Sequence, residues 1–467
     1  MTYPLVIIGG GLSGLAAGIR FARFGQKVLI LEKHRIAGGL NSYYTRHGQL
    51  LETGLHAMTN FALPRDKHAP LNRLFRQLKL PRKQFVTHQQ QCSEILFQDK
   101  SLLFSNDLSM LEDQIGTNFP QCLKGFQDLV AIIRQENPFL PKPRQSARQH
   151  LGRYISDPLL IDMLLCPLMI YGNAEEHDMD YFQFVIMFRS IFLEGFFRPA
   201  GTIKDLLDML TSSYLGHGGE IRYNADVQEL VTSGTKVNAV RLADGQEISC
   251  DKVLSTAGAP NTMQLLPGSL DGPVEDYNGR MSFMETIYLL PREKAADLTG
   301  DRTIIFFNLE EKYRYCRPDQ AINPQSGVIC FPENFHGLEH EKYLQIRVTN
   351  PANYQIWQQA DQANSALKSR SPAYQSMKKE CARESLEIIS KIIGNFSQNI
   401  VYQDTFTPLT IEKFTGKAEG AVYGSPKKIK EGRSNYDNLF LAGTDQGFLG
   451  IVGSMLSGIS MVNQHIL

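Results

Sequence analysis

The stretch from Val6 to Gly18 reads VIIGGGLSGLAAG, and it decides how the beginning of the chain folds. The apolar run LVII predicts a buried strand, the glycines predict a tight turn, and the run LAAGIRFARFG predicts a helix. The next run, KVLILE, predicts a second buried strand that ends at Glu32. The chain therefore begins with one strand–helix–strand unit.

The spacing of the glycines in this turn predicts a dinucleotide site. Gly9, Gly11 and Gly14 form the pattern GxGxxG, and Glu32 lies 18 residues beyond Gly14 at the strand end. Gly9 permits the tight turn, Gly11 lets the backbone approach a pyrophosphate, and Gly14 permits close packing. The free N–H groups at the helix start attract phosphate. Such a unit could exist for packing alone, but Glu32 can accept hydrogen bonds from ribose hydroxyls, which favours the dinucleotide.

Two more glycine-rich segments indicate which dinucleotide is bound. Gly38 and Gly39 form a loop soon after Glu32, and the run NLFLAGTDQGFLGIVGSMLSGIS predicts a strand, a glycine loop and a helix near residue 450. A domain that binds only NAD needs neither segment. We therefore expect FAD as the cofactor.

The composition excludes several classes of function. Lys plus Arg and Asp plus Glu both number 48, so no net charge draws the chain to nucleic acid. The seven cysteines include no CxxC pair, and no metal-ligand spacing, catalytic-triad order or Walker loop stands out. These features predict a protein of the reducing cytoplasm without a metal site, and they give no support to hydrolysis or phosphoryl transfer.

The sequence does not predict a signal peptide or a membrane-spanning helix. No Lys or Arg precedes Arg20, and the aromatic run that starts at Tyr181 is broken by Arg189 and Glu194. Residues 65–84 carry seven Lys or Arg and one Asp, with apolar residues at helical spacing. This stretch is typical of a solvated helix, and it could also dock on a membrane surface that supplies a lipid-soluble substrate. A peripheral location at a membrane therefore stays open.

The pattern along the chain predicts an α/β protein with two interleaved parts. Residues 1–60, 200–265 and 400–467 are expected to form a discontinuous, Rossmann-like FAD-binding domain. Residues 61–199, with many aromatics and proline breaks, are expected to form a helical insert. Residues 266–399 predict a mixed α+β lobe. The insert and the lobe together would form a discontinuous substrate domain, a mixed sheet plus helices.

Four stretches resemble a known group of flavoproteins. They are VIIGGGLSGLAAG with VLILEKHRIAGGLNS, LETGLH, GGEIRYNADVQELV with VNAVRLADGQEISCDKVLSTAG, and LFLAGTDQGFLGIVGSMLSGI. The group is the two-dinucleotide-binding-domain flavoproteins, which include amine oxidases, protoporphyrinogen oxidase and phytoene desaturases. Within it, ETGLH and FTPLTIEKFTGKAEGAVYG are most similar to the branch of phytoene desaturases, carotenoid isomerases and retinol saturases, which acts on long apolar polyenes.

This resemblance implies a set of contacts to FAD. The residues implied at the phosphates and the pyrophosphate side are Gly9, Gly11, Leu12, Ser13, Gly14, Gly38, Gly39 and Leu40. Those implied at the adenosine are Glu32, Lys33 and the backbone of Val227, and those at the ribityl and phosphate region are Gly443 and Asp445. The flavin N1 and C2 carbonyl would meet the helix that begins near Gly450, Ile451 and Val452. Many relatives have the acid directly after the last-strand glycine, whereas Thr444 intervenes here. AGGLN also lacks the arginine that amine oxidases carry after the paired glycines, which disfavours that activity.

His56 is the candidate catalytic residue. The resemblance puts LETGLH beside the isoalloxazine ring, where a histidine could donate or accept a proton, or could merely pack there. The aromatic residues of the helical insert also allow two interpretations, an apolar substrate tunnel or ordinary helix core. These residues are Tyr181, Phe182, Phe184, Phe188, Phe192, Phe196 and Phe197.

Three functions remain open at this point. The first is an FAD-dependent oxidoreductase that desaturates, saturates or isomerises carbon–carbon bonds of an apolar, isoprenoid or polyene-like small molecule. The second is an amine or protoporphyrinogen-type oxidase. The third is a flavin-binding protein without turnover. The resemblance favours the first, and neither the substrate's identity nor the direction of the redox chemistry follows from the sequence.

Overall fold

The structure is a computed structural model that describes residues 2–140, 142–338, 342–362 and 370–467. The strands follow one another along the chain as β1 (Leu5–Ile8), β2 (Val28–Leu31), β3 (Tyr43–Arg46), β4 (Gln49–Glu52), β5 (Thr87–Gln89), β6 (Cys92–Phe97), β7 (Lys100–Phe104), β8 (Phe197–Pro199), β9 (Glu220–Arg222), β10 (Val227–Ser233), β11 (Lys236–Leu242), β12 (Glu247–Ser249), β13 (Val253–Ser255), β14 (Ser282–Pro291), β15 (Arg302–Asn308), β16 (Ser326–Cys330), β17 (Tyr343–Ala352), β18 (Tyr402–Phe406) and β19 (Leu439–Leu441). The α-helices follow as α1 (Leu12–Ala22), α2 (Pro70–Leu78), α3 (Leu108–Asn118), α4 (Leu123–Gln135), α5 (Ala147–Leu151), α6 (Pro158–Gly172), α7 (Tyr181–Phe188), α8 (Ile203–Gly216), α9 (Ala259–Leu265), α10 (Ala296–Thr299), α11 (Tyr354–Gln362), α12 (Pro372–Ile393), α13 (Pro408–Thr415) and α14 (Gly450–Met461).

A five-stranded parallel sheet carries the first glycine turn. Its strand order is β19–β13–β1–β2–β9, and β1 pairs in parallel with both β2 and β13. The strands β1 and β2 are apolar throughout because both faces are covered, whereas the edge strand β9 carries Glu220 and Arg222. Leu5 and Ile7 join the core with α1, α8 and α14, whereas Val6 and Ile8 pack on the three-stranded sheet β10–β11–β12. The predicted strand–helix–strand unit is confirmed.

A seven-stranded mixed sheet forms the second layer. Its order is β18–β14–β17–β16–β15–β6–β7, with β14 and β17 as a long antiparallel pair near one edge. One face packs on α12 through Ile388 and Ile389. The other face joins the largest apolar core, which α3 to α7 complete. A helical layer thus covers each face of this sheet.

The stretch expected to be a helical insert contains strands as well as helices. β6 and β7 lie within residues 61–199, yet both belong to the seven-stranded sheet, where β6 runs parallel to β15. β18 lies within residues 400–467, which were expected in the FAD-binding domain, and pairs with β14 in the same sheet. Residues 61–199, expected as a helical insert, therefore also contribute two strands to the seven-stranded sheet. The hydrogen-bond partner of β6 lies far along the chain, and the composition of residues 61–199 does not reveal it.

The basic stretch forms α2, and the apolar face of this helix is covered. Leu71, Leu74, Phe75 and Leu78 are buried in the core that α1 and α14 share. α2 therefore has no free apolar face to insert into a bilayer. Among the described residues, no helix combines the length and apolarity that crossing a membrane requires.

The aromatic residues from α7 to the start of β8 are buried core, six of them in the core of the helices α3 to α7 and Phe197 in the core beside α1. All seven that the sequence singled out are at most 3% exposed. The rings of Phe184 and Phe188 lie 5.6 Å apart, and those of Phe188 and Phe192 lie 5.1 Å apart. These side chains contact one another and the neighbouring helices, which supports the core interpretation over the tunnel.

Candidate cofactor and active site

The glycine turn after β1 has the geometry that its sequence predicts. Gly9 has a φ of +100°, and a Cβ added to Gly14 would lie 2.1 Å from the carbonyl oxygen of Gly9. A side chain at Gly14 would therefore push α1 away from the turn. α1 begins after Gly11 without a side-chain cap and without an acidic residue in its first turn, which Leu12, Ser13 and Gly14 occupy. Its N–H groups are available to an anion.

The loop of Gly38 and Gly39 lies against the same turn. The Gly38 N–H donates a hydrogen bond to the Gly10 carbonyl oxygen over 3.0 Å. A Cβ added to Gly39 would lie 3.6 Å from the Cα of Gly11, so the two glycine loops approach each other closely. Leu40 continues this loop and is half-buried. Two of the predicted phosphate-binding segments are thus brought together at one edge of the parallel sheet.

Glu32 follows β2 directly and lies beside this turn. It is 6% exposed, and its carboxylate accepts hydrogen bonds from the N–H groups of Gly10 (2.7 Å) and His34 (2.8 Å). A carboxylate can accept about four hydrogen bonds, so these two leave capacity for ribose hydroxyls. The structure therefore fixes Glu32 where the sequence predicts an adenosine contact.

Lys33 and Val227 lie on the two sides of this strand end. The Ala225 N–H donates to the Glu32 carbonyl oxygen over 2.9 Å, which brings the start of β10 to the end of β2. Val227 begins β10 and is buried. The Lys33 ammonium instead turns outward and lies 3.3 Å from the Asp226 carboxylate. Val227 thus borders the expected adenosine site, whereas the charge of Lys33 is directed at Asp226.

The last glycine segment meets the first through the contact between α1 and α14. The Ser13 hydroxyl donates to the Ser454 carbonyl oxygen over 2.7 Å, and a Cβ added to Gly458 would lie 2.1 Å from the Ser13 carbonyl oxygen. Gly443 lies beside them, since a Cβ there would be 3.8 Å from the Ser13 Oγ. The two ends of the chain therefore contribute to one site.

α14 begins at Gly450, Ile451 and Val452 in the way that α1 begins at its own glycine turn. It has no side-chain cap and no acidic residue in its first turn. Its open N–H groups and positive dipole end favour a group that gains negative charge. Thr59 lies against this turn, because a Cβ added to Gly450 would be 3.7 Å from the Thr59 Oγ1. The loop after His56 therefore borders the start of α14.

The Asp445 carboxylate is buried beside the last glycine segment. It accepts hydrogen bonds from the N–H groups of Ala259 (2.5 Å) and Ser425 (2.8 Å) and ties two loops together. Burial raises the pKa of Asp445, but Lys417 and Lys428, with these two hydrogen bonds, outweigh burial and hold the pKa below its ordinary value. Two accepted hydrogen bonds leave acceptor capacity on this carboxylate, so the ribityl contact stays a prediction.

The arrangement fits FAD. Two uncapped helix starts lie at one sheet edge, glycine loops provide bare backbone between them, and the carboxylate of Glu32 is available to a ribose. Among the residues that the structure describes, no group of three or more His, Cys, Asp or Glu is arranged to hold a metal ion.

His56 pairs with a buried carboxylate. Its Nε2 lies 3.1 Å from the Oε2 of Glu285 on β14. The other oxygen, Oε1, accepts a hydrogen bond from the Nε of Arg347 on β17 over 2.7 Å. Burial raises the pKa of Glu285, but Arg347 and His56 outweigh burial and lower the pKa to about 2. Glu285 is therefore ionised at neutral pH, and His56 faces a carboxylate.

Two buried arginines hold the backbone that carries His56. Arg198 on β8 pairs with the Glu52 carboxylate and donates to the carbonyl oxygens of Leu55 (2.9 Å) and His56 (3.2 Å). Arg347 donates to the carbonyl oxygens of Leu55 (3.0 Å) and Glu52 (3.1 Å). The LETGLH segment is thus fixed by charged hydrogen bonds from two different strands.

Reasoning from the sequence missed Glu285, Arg347 and Arg198. A usable signal was present, because Glu285 is the only charged residue in SFMETIYLLP and Arg347 is the only one in YLQIRVTNPA. A charge in the middle of a buried strand needs a partner of opposite charge. Which residue provides the partner depends on strand pairing, which the sequence does not reveal.

Aromatic side chains border this charged cluster. Tyr171 at the end of α6 lies 5.0 Å from the Phe196 ring and 5.5 Å from the Phe306 ring. Burial raises the pKa of Tyr171 well above its ordinary value, and the charges of Arg347 and Glu285 also act on it. Its hydroxyl has no hydrogen-bond partner among the described residues. The surroundings of the cluster are thus apolar.

The fold and the site define a flavin-dependent oxidoreductase. A family model described as flavin containing amine oxidoreductase matches residues 12–279, which is more than half of the chain. The protein belongs to this family, and FAD is its cofactor.

Curated relatives are similar over most of the chain. Prolycopene isomerase of Daucus carota is 23% identical, over 92% of this chain and 73% of the relative. All-trans-retinol 13,14-reductase of Homo sapiens is also 23% identical, over 99% of this chain and 85% of the relative. Phytoene desaturase (lycopene-forming) of Pseudescherichia vulneris is 28% identical over 56% of this chain and 57% of the relative. A solved oxidoreductase from Methanosarcina mazei shares the fold, with a TM-score of 0.68, 15% identity, and coverage of 98% of this chain and 100% of that one.

Proposed function

We propose that this protein changes carbon–carbon bonds of an apolar, polyene-like isoprenoid, by desaturation, saturation or isomerisation. The relatives named above are an isomerase, a reductase and a desaturase of such molecules. The observation that carries the proposal is the pairing of His56 with Glu285 within an aromatic environment. Apolar surroundings suit an apolar substrate better than an amine, and no contact described in this site favours an amine.

FAD supplies the redox chemistry, since when bound it takes a hydride from one substrate carbon, or returns it, while a proton leaves or joins the neighbouring carbon. The protein's own contribution is to bind, to orient and to move that proton. Of the implied contacts, we propose that Gly9, Gly11, Leu12, Ser13, Gly14, Gly38, Gly39 and Leu40 hold the diphosphate side, that Glu32 and Val227 hold the adenosine, and that Gly443, Gly450, Ile451 and Val452 border the flavin end. Asp445 is kept as a candidate contact to the ribityl region, since its carboxylate can accept further hydrogen bonds. Lys33 is left out because its ammonium pairs with Asp226.

His56 is the residue that we propose moves the proton. It lies on the segment that borders the start of α14, and its partner Glu285 is ionised at neutral pH. A histidine beside a carboxylate can accept a proton in one direction of the reaction and donate it in the other. This leaves the direction to the substrate and to the redox state of the flavin.

A substrate panel tests the proposal. Purified holoprotein is incubated without oxygen with prolycopene or all-trans-retinol, in the oxidised and the reduced state, and the products are separated by chromatography. We expect a new isomer, or a product with one double bond more or fewer. Conversion of putrescine or protoporphyrinogen instead would favour the oxidase alternative. No conversion of any of the four would favour a flavin-binding protein without turnover.

We also propose that the protein contacts a membrane at its surface, through charge and not through an inserted helix. The apolar face of α2 is buried, but Arg73, Arg76 and Lys79 on this helix are exposed. Leu63 and Val86, in the segments that flank α2, are 46% and 52% exposed. Basic residues beside a few exposed apolar ones favour an anionic lipid surface. Such a contact would bring the site close to a lipid-soluble substrate.

A further inference from the structure

We propose that Glu285 is a positioning residue that fixes which nitrogen of His56 carries the proton and leaves Nδ1 to exchange the proton of the reaction. This inference rests on the proposed function. It concerns an atom-level arrangement that can be measured without any substrate.

The two oxygens of the Glu285 carboxylate have separate partners. Oε1 accepts hydrogen bonds from the Nε and Nη2 of Arg347, whose side chain is fully buried. Oε2 lies 3.1 Å from the Nε2 of His56 and accepts a long hydrogen bond from the Thr349 hydroxyl over 3.5 Å. Arg347 also donates to the carbonyl oxygens of Leu55 and Glu52, so its guanidinium cannot turn away without losing several buried hydrogen bonds. The carboxylate is therefore held with Oε2 towards the imidazole.

An ionised carboxylate can only accept hydrogen bonds. His56 Nε2 makes no aligned hydrogen bond in the structure, but it is the ring nitrogen that lies 3.1 Å from the carboxylate, and a proton is stabilised most on the nitrogen nearest a negative charge. In neutral His56 the carboxylate therefore favours the proton on Nε2. The lone pair is then on Nδ1, the ring nitrogen away from the carboxylate. Neutral His56 can accept a substrate proton at Nδ1, and protonated His56 can donate it back from the same atom. Each transfer breaks or forms one C–H bond and one N–H bond.

The other charges around His56 do not disturb this arrangement. Arg198 on β8 and Glu52 on β4 form their own pair, and Arg347 on β17 is engaged by Glu285 on β14. Two further titratable groups lie near the cluster, Tyr171 on α6 and Cys330 on β16, and burial raises the pKa of Tyr171 well above its ordinary value and that of Cys330 to about 12. Both groups are therefore neutral in the physiological range. The Glu285 carboxylate is the charge with which the ring forms an ion-pair contact.

Replacing this carboxylate by an amide should reverse the tautomer. In Glu285→Gln the amide oxygen must face Arg347, because the guanidinium has only donors. The amide NH2 then faces the Nε2 of His56 and donates to it. Neutral His56 must in that case carry its proton on Nδ1. The substitution keeps the shape of the side chain and changes only which atoms donate.

The experiment is nitrogen NMR of the purified holoprotein with 15N-labelled histidine rings. The signals of His56 are assigned by their loss in His56→Gln. We expect neutral His56 to be protonated on Nε2 in the wild type and on Nδ1 in E285Q. The control is Glu94→Gln, which removes another carboxylate of the same sheet, one that is 9% exposed and 3.3 Å from Arg302. E94Q should leave the His56 signals unchanged.

A protonated Nδ1 in the wild type would overturn the proposal, and so would an unchanged tautomer in folded E285Q. The wild-type measurement alone decides the matter if E285Q does not fold. With a substrate that turns over, kcat of E285Q should fall roughly 100-fold while KM changes less than about twofold. A wild type that shows the Nε2 proton but converts no polyene would contradict the proposed function and leave this inference standing.

Discussion

The glycine turn after β1 and the cluster of His56, Glu285 and Arg347 are both largely buried, but different forces fix them. The turn is fixed by steric contact within a few residues, since Gly14 has backbone where a side chain would be. The cluster is fixed by charge between segments far apart along the chain. The glycine turn thus depends on side chains being absent, whereas the segments around His56 depend on the pairing of buried charges.

The largest expected effect comes from filling the glycine turn. In Gly14→Ala the new Cβ would lie 2.1 Å from the Gly9 carbonyl oxygen, which neither backbone segment can avoid. We expect the free energy of unfolding to fall by about 3 kcal/mol or more and FAD to be lost during purification. Flavin absorbance and urea unfolding measure both. Gly216→Ala is the control, since nothing lies within 4 Å of its added Cβ, and we expect it to stabilise α8 by up to about 1 kcal/mol. If the G14A protein were yellow and as stable as the wild type, steric contact at Gly14 would not be what fixes the glycine turn.

An effect of similar size on stability, but without loss of the cofactor, is expected in the helical core around α7. Phe188 is fully buried between Phe184 and Phe192, so Phe188→Ala should lower the free energy of unfolding by about 3–5 kcal/mol in total but leave FAD bound. Phe24→Ala removes a ring that is 51% exposed and should cost less than about 1 kcal/mol. If F188A were instead as stable as the wild type and raised KM, the ring would line a substrate tunnel, contrary to its packing.

The charged cluster should make stability depend on acid. Burial raises the pKa of Glu285, but Arg347 and His56 lower it to about 2, compared with an ordinary value of 4.5. A carboxyl with a depressed pKa in the folded state stabilises the fold above its unfolded pKa and loses this contribution as the pH falls. We therefore expect about 3 kcal/mol of stability to disappear between about pH 4.5 and pH 2.

Urea unfolding at a series of pH values measures this dependence. The component should be absent in E285Q, because an amide does not titrate, and present in E94Q. Equal acid sensitivity of the wild type and E285Q would mean that Glu285 is not held ionised by its partners. Packing, and not charge, would then fix the segments around His56 as well.

Short motifs explain why the cofactor half could be predicted. Gly9, Gly14, Glu32 and the strand–loop–helix near Gly450 lie where local patterns put them. The direction of the Asp445 carboxylate could not be predicted, because the N–H groups that bind it come from two other loops.

The seven-stranded sheet was harder to predict, because its pairing partners also lie far apart along the chain. The strands β6 and β7 are short, and the segment that pairs with β6 is β15, in the other half of the chain. Glu285 and Arg347 stood out as lone charges in apolar runs, but their pairing with each other and with His56 follows from the register of β14 and β17. Sequence patterns thus locate such charges without indicating their partners.

The smallest expected effect on stability lies on α2, where neither steric contact nor buried charge operates. Arg73 and Arg76 are exposed, so reversing both charges in R73E/R76E should change the free energy of unfolding by less than about 0.5 kcal/mol. Binding to anionic vesicles at low salt should nevertheless weaken about tenfold or more, since each basic residue near such a surface contributes about 1 kcal/mol. Sedimentation with vesicles measures this. The control K379E/K391E makes the same charge change at exposed positions of α12 and should bind as the wild type does. If both variants lost vesicle binding equally, the net charge of the protein and not the position of Arg73 and Arg76 would explain the binding. A wild type that does not bind the vesicles would refute the proposed membrane contact.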